Sequence, residues 1–311
     1  MTRKFPINCI LSLVTLAACA PPASAPTPDA TSPRLAVLER EVREIIRRHA
    51  GDTAEVSVAF RDLRTGDSLL VDGHRSLHAA STMKVPVMLE LFRRADAGEI
   101  RLDSAVVVKN EFQSIADGSS YRLDPADDSD TTLYGRLGQR VAVRELIERM
   151  ITRSSNLSTN LLIALADPKR IERTMAQIGA GEMHVLRGVE DGPAYAAGMN
   201  NTTSAHALMR VMEAVAGGRA ASPAASREMA AILGRQEFTE MIPARVPAGT
   251  RTANKTGSIT RIAHDAAIVY PAGREPYVLV VLTHGFVSPA SAAPVGREIS
   301  AAVWRAVAGA R

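Results

Sequence analysis

The sequence predicts an α+β fold: one antiparallel five-stranded sheet from both chain ends, flanked by helices, plus an all-α lobe from the middle. Three observations predict it. Alternating apolar residues mark two early strands, at 55–63 and 67–71. Strand patterns return only late, at 252–260, 265–270 and 277–283, while the stretch from 81 to about 233 reads as helices. Two- and three-stranded pieces are not stable alone, so one sheet joining both chain ends is the economical solution, with the helical middle inserted as a second lobe. A ligand site is expected in the crevice between lobes.

The start of the chain is not fold. Arg3 and Lys4 precede an apolar stretch over 10–18 that is too short to span a bilayer and reads as a secretory signal. Two cleavage sites compete. Ala23-Ser24-Ala25 is followed by Pro26, which suits a protease cleft poorly. Leu16-Ala17-Ala18-Cys19 resembles a bacterial lipobox and sits at the end of the apolar stretch, so a lipoprotein signal over 1–18 is the reading adopted. Cys19 then becomes the lipid anchor, and attachment to a membrane is through that lipid alone. The exported, periplasmic chain retains neither a disulfide nor a thiol site, since Cys9 is discarded. Prolines at 21, 22, 26, 28 and 33 make 19–33 an extended tether, and 34–311 is the folded domain.

The 311 residues are 46% hydrophobic and 23% charged, which excludes a disordered, collagen-like or disulfide-stapled protein. The net charge of +4 comes with no Lys/Arg block, so no nucleic-acid partner is expected. Leu35, Leu38, Val42, Ile45 and Ile46 share one face of a first helix that Gly51 ends. Helices follow at 82–97, 142–152, 155–166, 169–178, 203–217 and 223–233, and a last amphipathic helix covers about 293–308. Pro86 removes an N–H that would bond to Thr82, so the first turns of the 82–97 helix are expected to be irregular.

The chemistry lies in the lysines. Of 37 basic residues only five are Lys, at 4, 84, 109, 169 and 255. Desolvated Lys can serve as a base, whereas Arg does not deprotonate in proteins. Ser81-Thr82-Met83-Lys84 places a hydroxyl and an amine on one helical face, at a helix start that favours developing negative charge. Lys255-Thr256-Gly257-Ser258 falls in a strand at the lobe boundary. There Lys255 can hold a carboxylate, Gly257 permits close approach, and the Ser258 N–H can point at an oxyanion. Chance S-x-x-K matches number about 0.35 in this composition and K-T-G matches about 0.02.

S-x-x-K followed by K-T-G resembles the motif set of class A β-lactamases and penicillin-binding proteins, from about Arg34 to the C-terminus. The resemblance implies a β-lactamase/transpeptidase-like fold and a serine acyl-enzyme mechanism without a cofactor or metal. The substrate it implies is a small β-lactam, or alternatively a peptidoglycan peptide, met by a monomer. A penicillin-binding sensor that acylates without turnover is the third reading. For the family's middle motif, Ser154-Ser155-Asn156 fits better than Ser158-Thr159-Asn160, because a second Asn, Asn160, follows Asn156 by four residues. By resemblance Ser154 shuttles a proton to the leaving nitrogen, and Asn156 binds the substrate amide. Lys255, Thr256, Gly257 and Ser258 complete the substrate contacts. Ser155 replaces the family's Asp. Glu190, on a Gly/Pro loop, matches the family's deacylating Glu, but Ala194 stands where the family has an Asn.

Other residues are read more plainly. His74 and His78 are spaced i,i+4 without a third zinc ligand at a suitable spacing. His264 is expected to line the cleft, and Arg261 is a candidate carboxylate partner. The acidic stretch within 110–140 reads either as a solvated loop or as a rim that alters substrate access.

Overall fold

The computed structural model describes residues 1–2, 33–51 and 53–308. The expected signal, Cys19 and the tether up to residue 32 lie outside the described residues. Ser32–Arg311 forms one compact unit. Its sheet has five strands, β1 (Glu55–Asp62), β2 (Ser68–Val71), β3 (Arg251–Ile259), β4 (Ile262–Tyr270) and β5 (Tyr277–His284). They run antiparallel in the order β2-β1-β5-β4-β3, so both chain ends build the sheet as expected.

The pattern of β5 shows why it is central. Tyr277, Leu279 and Val281 face one apolar cluster, whereas Val278, Val280 and Leu282 face the other. A strand buried on both faces reads as a continuous apolar run, as 277–283 does. The first cluster is closed by helix α1 (Pro33–Ala50), through Leu38 and Val42, and by the C-terminal helix, through Ile299 and Val303. Pro33 opens α1, where its missing N–H costs nothing.

The second cluster is the core of the helical lobe. It comprises α2 (Lys84–Asp96), α3 (Val143–Thr152), α4 (Asn156–Ala166), α5 (Pro168–Gln177), the short α6 (Gly192–Ala196), α7 (Ala205–Ala216) and α8 (Pro223–Leu233). The C-terminal helix α9 is Pro289–Ala308. Every residue of α2 from Lys84 to Phe92 is buried, so this helix is the axis of the lobe.

Local differences from expectation have physical causes. The 82–97 helix begins as a 3-10 turn, Ala80–Met83, and becomes α-helical only at Lys84. Pro86 cannot supply the N–H that a regular first turn needs. β3 stops at Ile259 because Thr260 and Arg261 form a two-residue turn to Ile262, with Arg261 at φ 61°. The 110–140 segment is partly structured: Phe112–Gln113 pairs with Ser120–Tyr121, and 3-10 turns cover Pro125–Asp127 and Thr131–Arg136. No described helix is long and apolar enough to cross a membrane.

Candidate active site

A cavity of about 890 Å³ is lined by Ser81, Ser154, Asn156, Glu190 and the strand residues Thr256, Gly257 and Ser258. β3 is the edge strand that borders it. A side chain at Gly257 would come within 3.1 Å of the Ser81 and Thr82 nitrogens, so only glycine lets the strand approach this turn so closely.

Ser81 is positioned through two histidines. Buried His264 on β4 accepts the Thr283 N–H at Nδ1 (3.1 Å), so its proton sits on Nε2 and donates to the His78 carbonyl (2.9 Å). His78 Nδ1 in turn accepts the Ala80 N–H at 3.0 Å. Burial lowers both histidines' affinity for a proton, that of His264 to a pKa of about 4. Neutral rings suit these hydrogen bonds. They hold Ala80 at φ 45°, immediately before Ser81. Ser154 and Glu190, at φ 57° and 60°, are similarly constrained. Of the six described non-glycine residues with positive φ, these three line the cavity, so half of this backbone strain is concentrated at one site.

Two fully buried lysines meet at one hydroxyl. Lys84 Nζ donates to the Ser154 carbonyl (2.5 Å), Ser154 Oγ (3.2 Å) and Asn156 Oδ1 (2.9 Å). Lys255 Nζ donates to the same Ser154 Oγ (3.0 Å) and to the Thr256 carbonyl (2.8 Å). Burial depresses both amines. Lys84 falls to about 7, held up in part by the Asp128 and Glu190 carboxylates. Lys255 is also pushed well down, first by burial and then by the neighbouring Lys84 charge, against the pull of Asp265.

Glu190 sits on the loop between Arg187 and Asn201. Asn201 ties the neck of this loop, accepting the Leu186 and Arg187 N–H groups and donating to the Arg187 carbonyl. Asn160 grips Val189 on both sides, accepting its N–H (2.7 Å) and donating to its carbonyl (3.0 Å). Glu190 Oε1 accepts from Asn156 Nδ2 (3.0 Å), and Oε2 accepts from the Asp124 N–H (3.2 Å). Burial raises the Glu190 pKa, and Asp127 and Asp128 raise it further. Ala194 is buried and offers no polar side chain to this carboxylate.

The 110–140 segment contributes residues that the sequence did not single out. Its Asp128 is buried and accepts four hydrogen bonds: from Asn156 N–H, Leu157 N–H, Asp130 N–H and the Tyr134 hydroxyl. The carboxylate thus caps α4 from outside, next to the N-cap Ser155, whose side chain accepts the Ser158 N–H. The segment is therefore a buttress as well as a rim, not a fully solvated loop. Asp128→Ala should lower stability by roughly 3 kcal/mol, because buried donors to a charged acceptor are each worth about 1.5–3 kcal/mol and such losses do not add fully. Urea unfolding measures this; a change below about 0.5 kcal/mol, ordinary for a surface substitution, would contradict the buttress role.

Arg261 is not the carboxylate partner expected. It does not line the cavity, and its guanidinium folds back to the Gly285 carbonyl at 2.9 Å. The turn geometry that ends β3 points it away. The guanidinium-bearing residues that do line the cavity are Arg187 and Arg297. Arg187 is consumed by the Met199 and Gly188 carbonyls and by Asn200.

A buried lysine pair, a cavity-facing serine and an edge strand in an α+β two-lobed fold define a serine hydrolase-like enzyme. A family model described as the beta-lactamase enzyme family matches residues 37–307, and the chain belongs to that family. It is 25% identical over 210 residues to a beta-lactamase of Bacillus subtilis (strain 168), covering 65% of this chain and 67% of that protein. The crystal structure of a beta-lactamase from Sphaerobacter thermophilus DSM 20745 matches with a TM-score of 0.74 at 25% identity, over 86% of this chain and 97% of the other. The structure of PBP-A shares the fold, with a TM-score of 0.76 at 24% identity, over 88% of this chain and 97% of that one.

Proposed function

We propose that the chain hydrolyses β-lactams through an acyl-enzyme on Ser81. The observation that carries this reading is the Ser154 hydroxyl shared by two buried lysines at the wall of the Ser81 cavity. Ser81 Oγ attacks the lactam carbonyl carbon, and its proton passes to Lys84. Three acceptors around Lys84 Nζ suit the ammonium that then forms. The N–H groups of Ser81 and Ser258 stabilise the oxyanion, a contribution of about 3–4 kcal/mol per donor. The C–N bond breaks as Ser154 gives its proton to the leaving nitrogen and is reprotonated by Lys84. Glu190 then takes a proton from water, and the hydroxide adds to the ester carbon. As the bond to Ser81 Oγ breaks, that proton passes from Glu190 to Ser81 Oγ, releasing the acid and restoring both groups.

This assignment has a pH signature. Lys84 acts as a base only when neutral, and its pKa lies at about 7. The acylation rate should fall about tenfold per unit as pH drops below that value and level off above it. Stopped-flow acylation by a chromogenic cephalosporin measures the profile; a flat rate across this range would remove Lys84 as the base.

A second reading, a D,D-peptidase-like acyl hydrolase of peptidoglycan peptides, is favoured by Ala194 and Ser155 and fits the fold shared with PBP-A. Intact mass followed over time with a penicillin separates the readings. Turnover predicts an adduct that clears within seconds. A slow peptidase predicts a persistent adduct with hydrolysis of acyl-D-Ala-D-Ala peptides, and a sensor predicts one stoichiometric adduct with neither release nor peptide hydrolysis.

We further propose export to the periplasm with lipidation at Cys19. Metabolic labelling with palmitate should mark the wild type and not Cys19→Ala. Unlabelled wild type would refute the anchor.

A further inference from the structure

Three segments meet on the surface away from the Ser81 cavity. The loop after β2 carries His74, the segment between α5 and α6 carries Glu182, and the first turn of α7 carries His206. Sequence spacing pairs His74 with His78, but the fold parts them, since His78 bonds to the Ala80 N–H and His74 turns to Glu182. His74 Nδ1 lies 2.8 Å from Glu182 Oε1, and His206 Nδ1 lies 3.7 Å from Glu182 Oε2. The two imidazole centroids are 4.5 Å apart. One ligand atom from each of the three residues lies within 4.8 Å of those of the other two.

The arrangement is supported from behind. Ser204 Oγ donates to Glu182 Oε2, which orients the carboxylate. The His206 N–H donates to the Gly73 carbonyl at 2.8 Å and locks the His74 loop to α7. Such outer contacts are what hold metal ligands in place.

We infer that His74, Glu182 and His206 form a binding site for a divalent transition-metal cation, with zinc the best match. Two imidazoles and a carboxylate are a zinc donor set, whereas calcium and magnesium favour all-oxygen ligands. Tetrahedral bonds of about 2.1 Å put ligand atoms about 3.4 Å apart, so ligand atoms that all lie within 4.8 Å of one another need to close by no more than about 1.4 Å. The side chain of His74 is 59% exposed and free to make that movement. The ion would cross-link the β2 loop, Glu182 and α7. Thr202–Thr203, just before Ser204, pairs with Leu77–His78, so the cross-link reinforces the frame behind Ser81 without touching the reacting atoms. Binding to the folded state alone raises stability by mass action.

The test uses untagged full-length protein freed of metal with a chelator. It is titrated with Zn²⁺ by calorimetry and with Co²⁺ by visible absorption, and melted with and without Zn²⁺. One ion per chain, a tetrahedral Co²⁺ spectrum and a Zn²⁺-dependent rise in Tm are expected. His74→Ala and His206→Ala should each weaken binding more than about tenfold and remove the Tm rise. His184→Ala, which breaks a His–Glu pair with Glu172 outside the trio, should bind as wild type. No stoichiometric binding by the wild type, or undiminished binding and spectrum in His74→Ala, overturns the site. His74 is solvent-facing, so its replacement should leave the metal-free melt unchanged.

Discussion

Ser81→Ala should abolish both turnover of a chromogenic cephalosporin and the covalent penicillin adduct, while the protein melts like the wild type. The size of the loss follows from the role. A hydroxyl that forms the acyl bond has no substitute, and removing such a nucleophile costs on the order of 10⁶ in kcat. The stability half of the expectation follows from the geometry. Ser81 Oγ makes no hydrogen bond among the described residues, and the 3-10 turn is held by backbone and neighbouring groups. The Thr82 N–H and hydroxyl both donate to the Ala79 carbonyl, and the Ala80 N–H donates to His78. Deleting one oxygen that faces a cavity should therefore shift stability by less than about 0.5 kcal/mol. Intact mass with penicillin, steady-state hydrolysis and a thermal melt on one preparation check all three. An adduct on Ser81→Ala would move the nucleophile elsewhere. A large drop in Tm would mean that the hydroxyl is structural.

The sequence made Ser81, Lys84 and Lys255 legible because their chemistry is local. Two short motifs in a chain with five lysines carry the information without long-range knowledge. The sheet was legible for a similar reason: the unbroken apolar run of β5 follows directly from two-sided burial, and β1 still shows its strand period because Val56, Val58 and Phe60 fill one face while the small Ser57 and Ala59 are buried on the other. Asp128 was not legible. An acidic run reads as a solvated loop, and what buries this one carboxylate is a set of donors from residues 130, 134, 156 and 157. Three of those donors are backbone N–H groups, which every sequence supplies and none advertises. The His74, Glu182 and His206 cluster escaped for the opposite reason. Its residues are individually conspicuous, but only the fold reduces a separation of more than one hundred positions to hydrogen-bond distance. Arg261 failed as a carboxylate partner because its backbone sits at positive φ in a hairpin turn, which redirects the side chain.

Glu190→Gln should uncouple the two halves of the reaction: penicillin still acylates Ser81, but the adduct persists. Both Glu190 oxygens act as acceptors, one for Asn156 Nδ2 and the other for the Asp124 N–H. Glutamine offers one carbonyl oxygen and one NH₂, so whichever way the amide turns, a donor faces a donor. The substitution also removes the carboxylate that the Asn160 clamp and the Arg187–Asn201 neck hold at the cavity wall beside Asn156. Burial and the flanking Asp127 and Asp128 raise the carboxylate's proton affinity, which makes it a stronger base than an exposed Glu. Loss of a general base costs about 10²–10⁴-fold, and the whole of that loss should appear in deacylation. In the wild type the same group sets an acid limb: a raised pKa means that the base form is lost as pH falls through a value above the ordinary 4.5. Quench-flow mass spectrometry reads both rates, and equal loss in acylation and deacylation would instead make Glu190 a base for both steps. Deacylation unchanged in Glu190→Gln would remove the carboxylate from the mechanism. The wild-type rate carries separate information. Buried Ala194 offers a water at Glu190 no polar side chain, and an ordered water needs two to four polar partners. Asn156 and Glu190 can supply two of these. If they suffice, the adduct clears in seconds; if they do not, the Glu190→Gln effect shrinks because deacylation is already slow, and the size of that difference measures how well this site holds its water.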